Sequence, residues 1–190
     1  KGYDVVLVSS GAIMAGRERL GLNRADLSIP EKQACAAIGQ SFLMHTYEKA
    51  FEKKDIKVAQ ILLSHDDLGN RRRYLNAKHT IEALLERNVI PIINENDSVT
   101  VEEIKIGDND TLSATVACLV DAQLLIILSG VEGMFNRDPS IKIKGEKAEL
   151  LSHVARINEE IERTAGKSNN RLTVGGMYTK VIAAKKTMSF

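Results

Sequence analysis

Short apolar runs without polar alternation are the feature that most constrains the fold of this 190-residue chain. Strands that are apolar throughout are covered on both faces, and the segments between these runs have helical patterns. We therefore predict an α/β fold, a three-layer α/β/α sandwich with a mostly parallel central sheet. The predicted strands are Tyr3–Val8, Val58–Leu63, Val89–Ile93 and Leu124–Leu128, with a two-strand excursion at Val99–Val101 and Ile104–Ile106. The predicted helices are Glu31–Lys53, Tyr74–Arg87 and Leu112–Val120.

The composition excludes several classes of protein. The 26 basic residues nearly balance the 25 acidic ones, which argues against electrostatic binding of nucleic acid. The longest strongly apolar run is far too short to span a membrane, and no signal-peptide pattern opens the chain. Cys35 and Cys118 lie in apolar helical surroundings, which predicts buried free thiols in a reduced compartment. We therefore predict a cytoplasmic protein without membrane contact.

Two clusters of polar residues indicate a functional site. The first polar cluster, Asn94–Asp97, directly follows a buried strand, and the second polar cluster, Gly107–Asp110, precedes a buried helix. Open α/β folds bind ligands beyond the carboxyl ends of their strands. Helix capping accounts for only one or two of these side chains. The anionic ones require cations, which a substrate ammonium, a lysine or magnesium could supply; they are Glu95, Asp97, Asp108 and Asp110.

Two glycine turns could approach an anion. Ser10 and Gly11 follow the first strand, where backbone N–H groups at a helix N-terminus can face an anion, although Ser10 could also be an ordinary helix cap. Gly175 and Gly176 precede a helix whose first turn or so contains Lys180. That lysine could pair with transferring phosphate oxygens, or it could be a surface lysine after a glycine hinge. No P-loop motif is present, and no GxGxxG follows a strand.

Taken together and in this order, these motifs resemble the amino acid kinase family from Val5 to Ala184. Within the family they are similar to the members that phosphorylate the γ-carboxylate of L-glutamate to L-glutamyl 5-phosphate, the first step of proline biosynthesis. The resemblance implies a transferase with L-glutamate and ATP as substrates, Mg²⁺ as a cofactor, proline as a feedback inhibitor and a homo-oligomeric state. A carboxylate is already ionised at neutral pH, so the reaction needs positioning and charge neutralisation, not a general base.

The resemblance also implies roles for individual residues. Ser10 and Gly11 would contact glutamate, Asn94 would lie close to it, Asp97 would take its amino group, and Asn109 would hydrogen-bond a substrate carboxylate.

The catalytic residues implied in the same way are Lys180, which would stabilise the transferring phosphoryl group, and Asp110, which would orient the catalytic lysines. Nucleotide contacts would come from two segments. Their residues are Ser129, Gly130, Val174, Gly175, Gly176, Met177, Tyr178, Thr179 and Lys180. The histidines and cysteines have no zinc spacing, and we assign no protein side chain as a metal ligand.

The chain departs from the family pattern at its start. Family members carry an opening strand with a Lys-x-Gly-[Ser/Thr] turn, and this chain begins at the strand that follows it. We therefore expect residues 1–190 to be an amino acid kinase domain incomplete at both ends, without the first phosphate-binding lysine and the last strands. Two alternatives stay open. One is a family member acting on acetylglutamate, aspartate, carbamate or uridylate, and the other is a non-catalytic amino-acid-sensing fragment.

Overall fold

A computed structural model describes residues 2–24, 26–99, 109–139, 147–166 and 176–189. The chain divides into two compact units, residues 1–105 and residues 106–190, and each is described here by itself. We call them the first unit and the second unit.

The described strands of the first unit form one parallel sheet. β1 (Leu7–Val8), β2 (Lys57–Leu63) and β3 (Val89–Glu95) lie in the order β1-β3-β2, and β3 pairs in parallel with both neighbours. Ile92 and Ile93 point to opposite faces of β3, yet neither has exposed surface. The central strand is therefore covered on both faces, which confirms the predicted α/β class with a parallel sheet.

The described part of the first unit also contains four helices: α1 (Ala12–Arg19), α2 (Ile29–Glu52), α3 (His65–Gly69) and α4 (Arg71–Leu85). Two of them confirm predicted helices but begin earlier, because cap residues precede the apolar pattern. The N–H and hydroxyl of Ser28 both donate to the Glu31 carboxylate at the start of α2. The Asn70 side chain accepts from the N–H groups of Arg72 and Arg73 at the start of α4.

Helices α1 and α2 approach each other at backbone distance. A Cβ atom on Gly16 would lie 1.8 Å from the Cys35 carbonyl oxygen, and one on Gly39 would lie 1.7 Å from the Ala12 carbonyl oxygen. No side chain fits at such distances, so both positions require glycine. This contact fixes the start of α1 against the middle of α2.

The described part of the second unit contains α5 (Asn109–Leu119), α6 (Glu159–Gly166) and α7 (Met177–Met188). α5 confirms the helix predicted from Leu112. Apolar side chains of all three helices are buried. Phe135 and Leu150 form an isolated antiparallel bridge, in which Leu151 N–H donates to the Met134 carbonyl at 2.7 Å.

The strand predicted at Leu124–Leu128 is wrong for this structure. These residues have no strand conformation, and the side chains of Leu124, Ile126 and Leu128 are exposed. A strand exists through its hydrogen-bonded neighbour, and apolar content alone does not supply one. Similarly, only Leu7–Val8 of the first predicted strand pairs with a neighbour. The predicted excursion between Val99 and Ile106 falls on residues 100–108, outside the described residues, except for Val99, which lies in a turn.

Two smaller predictions concern cysteine and membranes. Cys35 and Cys118 are both free and buried, as predicted. Within the described ranges, no helix is long and apolar enough to cross a bilayer.

Candidate active site

In the first unit, the turn after β1 and the end of β3 lie at the same edge of the sheet. Val8 pairs with Ile93, and Ser9 N–H donates to the Ile93 carbonyl at 2.8 Å. The predicted substrate residues Ser10 and Gly11, which follow β1, therefore lie at the edge of the sheet where β3 ends with Asn94 and Glu95. These are carboxyl ends of parallel strands, the position where α/β folds bind ligands.

The turn itself depends on glycine. Gly11 has φ 97° and ψ 0°, a conformation that side-chain-bearing residues rarely adopt. Gly11, not Ser10, is the N-cap of α1, and no side chain caps the helix. The alternative interpretation of Ser10 as a capping residue is therefore wrong, and its side chain is exposed.

Asn94 is a buried polar residue at the end of β3, with 2 % of its surface exposed. Its Oδ1 accepts from the Glu95 N–H at 2.9 Å, and its Nδ2 donates to Gln40 Oε1 on α2 at 2.9 Å. These bonds hold the amide in one orientation.

Asp97 lies half-buried in the turn after β3. Burial, reinforced by the negative charge of Glu95, raises the pKa of the Asp97 carboxyl to about 6. The anionic form of this side chain is therefore costly, and a cation placed beside it would favour that form. A carboxyl in this state suits a substrate ammonium.

In the second unit, Asp110 on α5 contacts Lys180 on α7. Lys180 Nζ donates to Asp110 Oδ2 at 2.9 Å and to Oδ1 at 3.3 Å. The Thr179 hydroxyl donates to Asp110 Oδ2 at 2.6 Å. Both side chains of the ion pair are mostly buried, with 20 % of Lys180 and 14 % of Asp110 exposed. The structure thus brings the two predicted catalytic residues together. Lys180 lies one helical turn after Gly176.

The structure also describes other predicted residues of the second unit. Asn109 is the first residue of α5, and Gly176 is the N-cap of α7. Tyr178 is exposed on the first turn of α7. Ser129 makes a local contact, in which its Oγ accepts from the Val131 N–H at 3.4 Å. Val174 and Gly175 lie outside the described residues, as do Gly107 and Asp108 of the second polar cluster.

Sequence reasoning missed the residues behind the site. Gln40 holds Asn94, and the Tyr47 hydroxyl lies 3.0 Å from the hydroxyl of the buried Ser9. The sequence indicates these two residues only through the amide of Gln40 and the hydroxyl of Tyr47, which interrupt the apolar pattern of α2. Thr179 was predicted as a nucleotide residue, but its contact with Asp110 was not foreseen.

Comparison with known proteins gives a consistent result. The model of the amino acid kinase family matches residues 1–189. The chain is 54 % identical over 184 residues to glutamate 5-kinase of Carboxydothermus hydrogenoformans, covering 97 % of this chain and 49 % of that protein. It is 52 % identical over 190 residues to glutamate 5-kinase of Geobacter metallireducens, covering 100 % and 50 %. For glutamate 5-kinase of Clostridium tetani the identity is 52 % over 185 residues, covering 97 % and 68 %.

The chain spans about half the length of the first two of these curated relatives. The family model nevertheless covers almost every residue of the chain, including both polar clusters and Lys180. The chain belongs to the amino acid kinase family.

Proposed function

We propose that this protein acts as a glutamate 5-kinase, transferring the γ-phosphoryl group of ATP to the γ-carboxylate of L-glutamate. The identity to proteins of that name along nearly the whole chain carries the proposal. Two features of the structure support it. The Asp97 carboxyl could bind the substrate ammonium, and Lys180, held by Asp110, could neutralise a phosphoryl group.

The residues of the first unit bind the amino acid in this proposal. Asp97 takes the ammonium of glutamate, which lowers the cost of its own charge. The Asn94 amide, fixed by its bonds at both ends, lies close to the substrate, and the turn at Ser10 and Gly11 faces a substrate carboxylate. The family resemblance further assigns to Asn109 a hydrogen bond to a carboxylate of the substrate.

The residues of the second unit act on the phosphoryl group. A γ-carboxylate oxygen attacks the γ-phosphorus, the bond to the bridging oxygen breaks, and ADP leaves with that electron pair. No proton is transferred, because the nucleophile is already an anion. Lys180 neutralises charge on the transferring group. Asp110 holds Lys180 in place and also accepts from the Thr179 hydroxyl. Ser129, Gly130 and the segment from Val174 to Lys180 contact the nucleotide.

Membership of the kinase family implies ATP and, typically, a divalent metal ion. Within the described residues, no three His, Cys, Asp or Glu side chains form a metal-binding group. Mg²⁺ commonly binds through substrate phosphates and waters with few protein ligands, and we propose that it enters with ATP. When bound there, Mg²⁺ would neutralise phosphate charge.

We also infer that proline competes with glutamate and that the protein is a homo-oligomer. Proline carries the ammonium and α-carboxylate that glutamate presents, so Asp97 could bind either molecule. A rising apparent KM for glutamate with added proline would support the competition, and an unchanged KM would refute it.

The proposal is tested by trapping the acyl phosphate with hydroxylamine. The full-length protein is incubated with ATP, Mg²⁺ and L-glutamate, and in parallel with N-acetylglutamate, aspartate, carbamate or uridylate. We expect ADP and hydroxamate with glutamate and little of either with the others. For N-acetylglutamate the reason is that N-acetylation removes the ammonium that Asp97 requires. Preferential turnover of another substrate would refute the proposal. Glutamate binding without ADP formation would instead identify an amino-acid-sensing module.

A further inference from the structure

Three side-chain amides of the first unit form a continuous hydrogen-bonded chain, which we call the amide chain. Gln40 Nε2 donates to Gln60 Oε1 at 3.0 Å, and Asn94 Nδ2 donates to Gln40 Oε1 at 2.9 Å. Asn94 Oδ1 in turn accepts from the Glu95 N–H at 2.9 Å. It connects α2 and the next element, β2, with β3, where Asn94 lies 54 residues after Gln40.

The backbone N–H of Glu95 sets the direction of the amide chain. A backbone N–H can only donate, so Asn94 must turn its oxygen toward Glu95 and its nitrogen toward Gln40. Gln40 must then present its oxygen to Asn94 and its nitrogen to Gln60. The orientations of Asn94 and Gln40 are therefore fixed by bonding rules.

Burial concentrates the effect at Gln40. Gln60 is exposed, whereas Gln40 has 9 % and Asn94 has 2 % of its surface exposed. Gln60 pairs with Ile92, so Gln60 and Asn94 lie on the same face of the sheet, and α2 places Gln40 above them. Water can replace a lost bond at Gln60 but not readily at the Gln40–Asn94 bond.

Two other residues of α2 contact the segment that follows β1. Gly39 contacts the backbone of Ala12, one residue after the Gly11 turn, and the Tyr47 hydroxyl lies 3.0 Å from that of Ser9. Gln40 lies between Gly39 and Tyr47 on α2, and its side chain contacts Asn94 on β3.

We propose that Gln40 is a positioning residue for the amino acid substrate. It holds the Asn94 amide and, through the Glu95 N–H, the start of the turn that carries Asp97. The inference rests on the proposed function, because it takes glutamate as the ligand of Asn94 and Asp97. Gln40 acts through Asn94 and does not itself contact the substrate.

The test is the glutamate KM and the ATP KM of Gln40→Met, measured after the wild type has been shown to phosphorylate glutamate. We expect the glutamate KM to rise about tenfold, as for a buried hydrogen bond left unmade, with the ATP KM within about twofold. Met44→Leu, a buried change one turn later on α2, should leave both constants unchanged. Gln60→Met should raise the glutamate KM by at most about twofold, because water replaces its bond.

A double variant separates positioning from general damage. If Gln40 acts through Asn94, adding Gln40→Met to Asn94→Ala should not raise the glutamate KM further. Independent, multiplying effects would overturn the proposal, as would an unchanged glutamate KM or an equal rise of both KM values in Gln40→Met. If Gln40→Met does not fold, Gln40→Asn, which is one methylene too short to reach Asn94, is held to the same outcomes. A wild type without activity on glutamate would refute the proposed function, which is a different result.

Discussion

The two units hold their predicted site residues by different means. In the first unit, neutral contacts fix the residues: the glycine contact between α1 and α2, and the bonds of the Asn94 amide. In the second unit, the Asp110–Lys180 ion pair does so. Neutral amides fix a direction without requiring a counter-charge, which suits the recognition of a small molecule. A lysine paired with a carboxylate holds a positive charge in place, which suits a phosphoryl group.

The two aspartates show the same contrast. The charge of Asp110 is met by Lys180, whereas burial and the charge of Glu95 raise the pKa of Asp97 to about 6. A substrate cation therefore gains more beside Asp97 than beside Asp110. In the proposed function, this difference separates a carboxylate that binds the substrate from one that positions Lys180.

Lys180→Met breaks the second unit's side of this comparison and has the largest expected effect. We expect kcat to fall about 10²- to 10³-fold, as when one charge-stabilising donor is removed, with little change in the glutamate KM. Steady-state kinetics measure both constants. Lys185→Met is the matched control, because Lys185 is an exposed lysine of the same helix that pairs with Glu162. A similar loss of kcat in both variants would contradict the role of Lys180.

Gly39→Ala breaks the backbone contact in the first unit. The added Cβ would lie 1.7 Å from the Ala12 carbonyl oxygen, so the helices must separate. We expect the free energy of unfolding, measured with urea, to fall by about 2–3 kcal/mol. In Gly69→Ala the new Cβ meets nothing within 4 Å, and stability should change by less than about 0.5 kcal/mol. Equal effects of the two substitutions would show that the helix contact is not close.

The pH dependence of glutamate binding sharpens the contrast between the aspartates. Protonation of Asp97 below its pKa of about 6 removes the charge that the ammonium requires. The affinity for glutamate should therefore fall by up to about tenfold per pH unit below that value, and Asp97→Asn should lose this dependence. Calorimetric titration across this range measures the affinity. The same pH dependence in wild type and Asp97→Asn would assign it to another group.

The free energy of unfolding of the protein without substrate should depend on pH in the opposite direction. A carboxyl whose folded-state pKa is raised from 3.8 to about 6 stabilises the fold while it is protonated. Its contribution is fully present below the unfolded-state value and is lost as the pH rises through about 6. Asp97→Asn should therefore reduce the loss of stability in this window, which urea unfolding at several pH values would measure.

The sequence allowed the parallel sheet to be predicted because buried strands are apolar throughout. β3 was predicted in this way, and the abrupt end of its apolar run at Ile93 indicated the first polar cluster. The roles of Asp110 and Lys180 came from family resemblance, because nothing in their spacing shows that two residues 70 positions apart touch.

The remaining features depend on partners that a local pattern does not name. A glycine such as Gly39 within a helical pattern does not identify the backbone it contacts, and a buried Gln40 does not identify Asn94, 54 residues away. The run Leu124–Leu128 has the composition of a strand, but composition does not provide the neighbour that a strand requires.

Calorimetric titration of L-glutamate into Asp97→Asn and Lys180→Met at neutral pH tests most directly whether Asp97 binds the amino acid and Lys180 does not. Loss of a charged hydrogen-bond partner should weaken glutamate binding in Asp97→Asn by at least about tenfold. Binding to Lys180→Met should stay within about twofold of the wild type, because we propose that Lys180 acts on the phosphoryl group and not on glutamate. Equal weakening in both variants, or unchanged affinity in Asp97→Asn, would contradict the account.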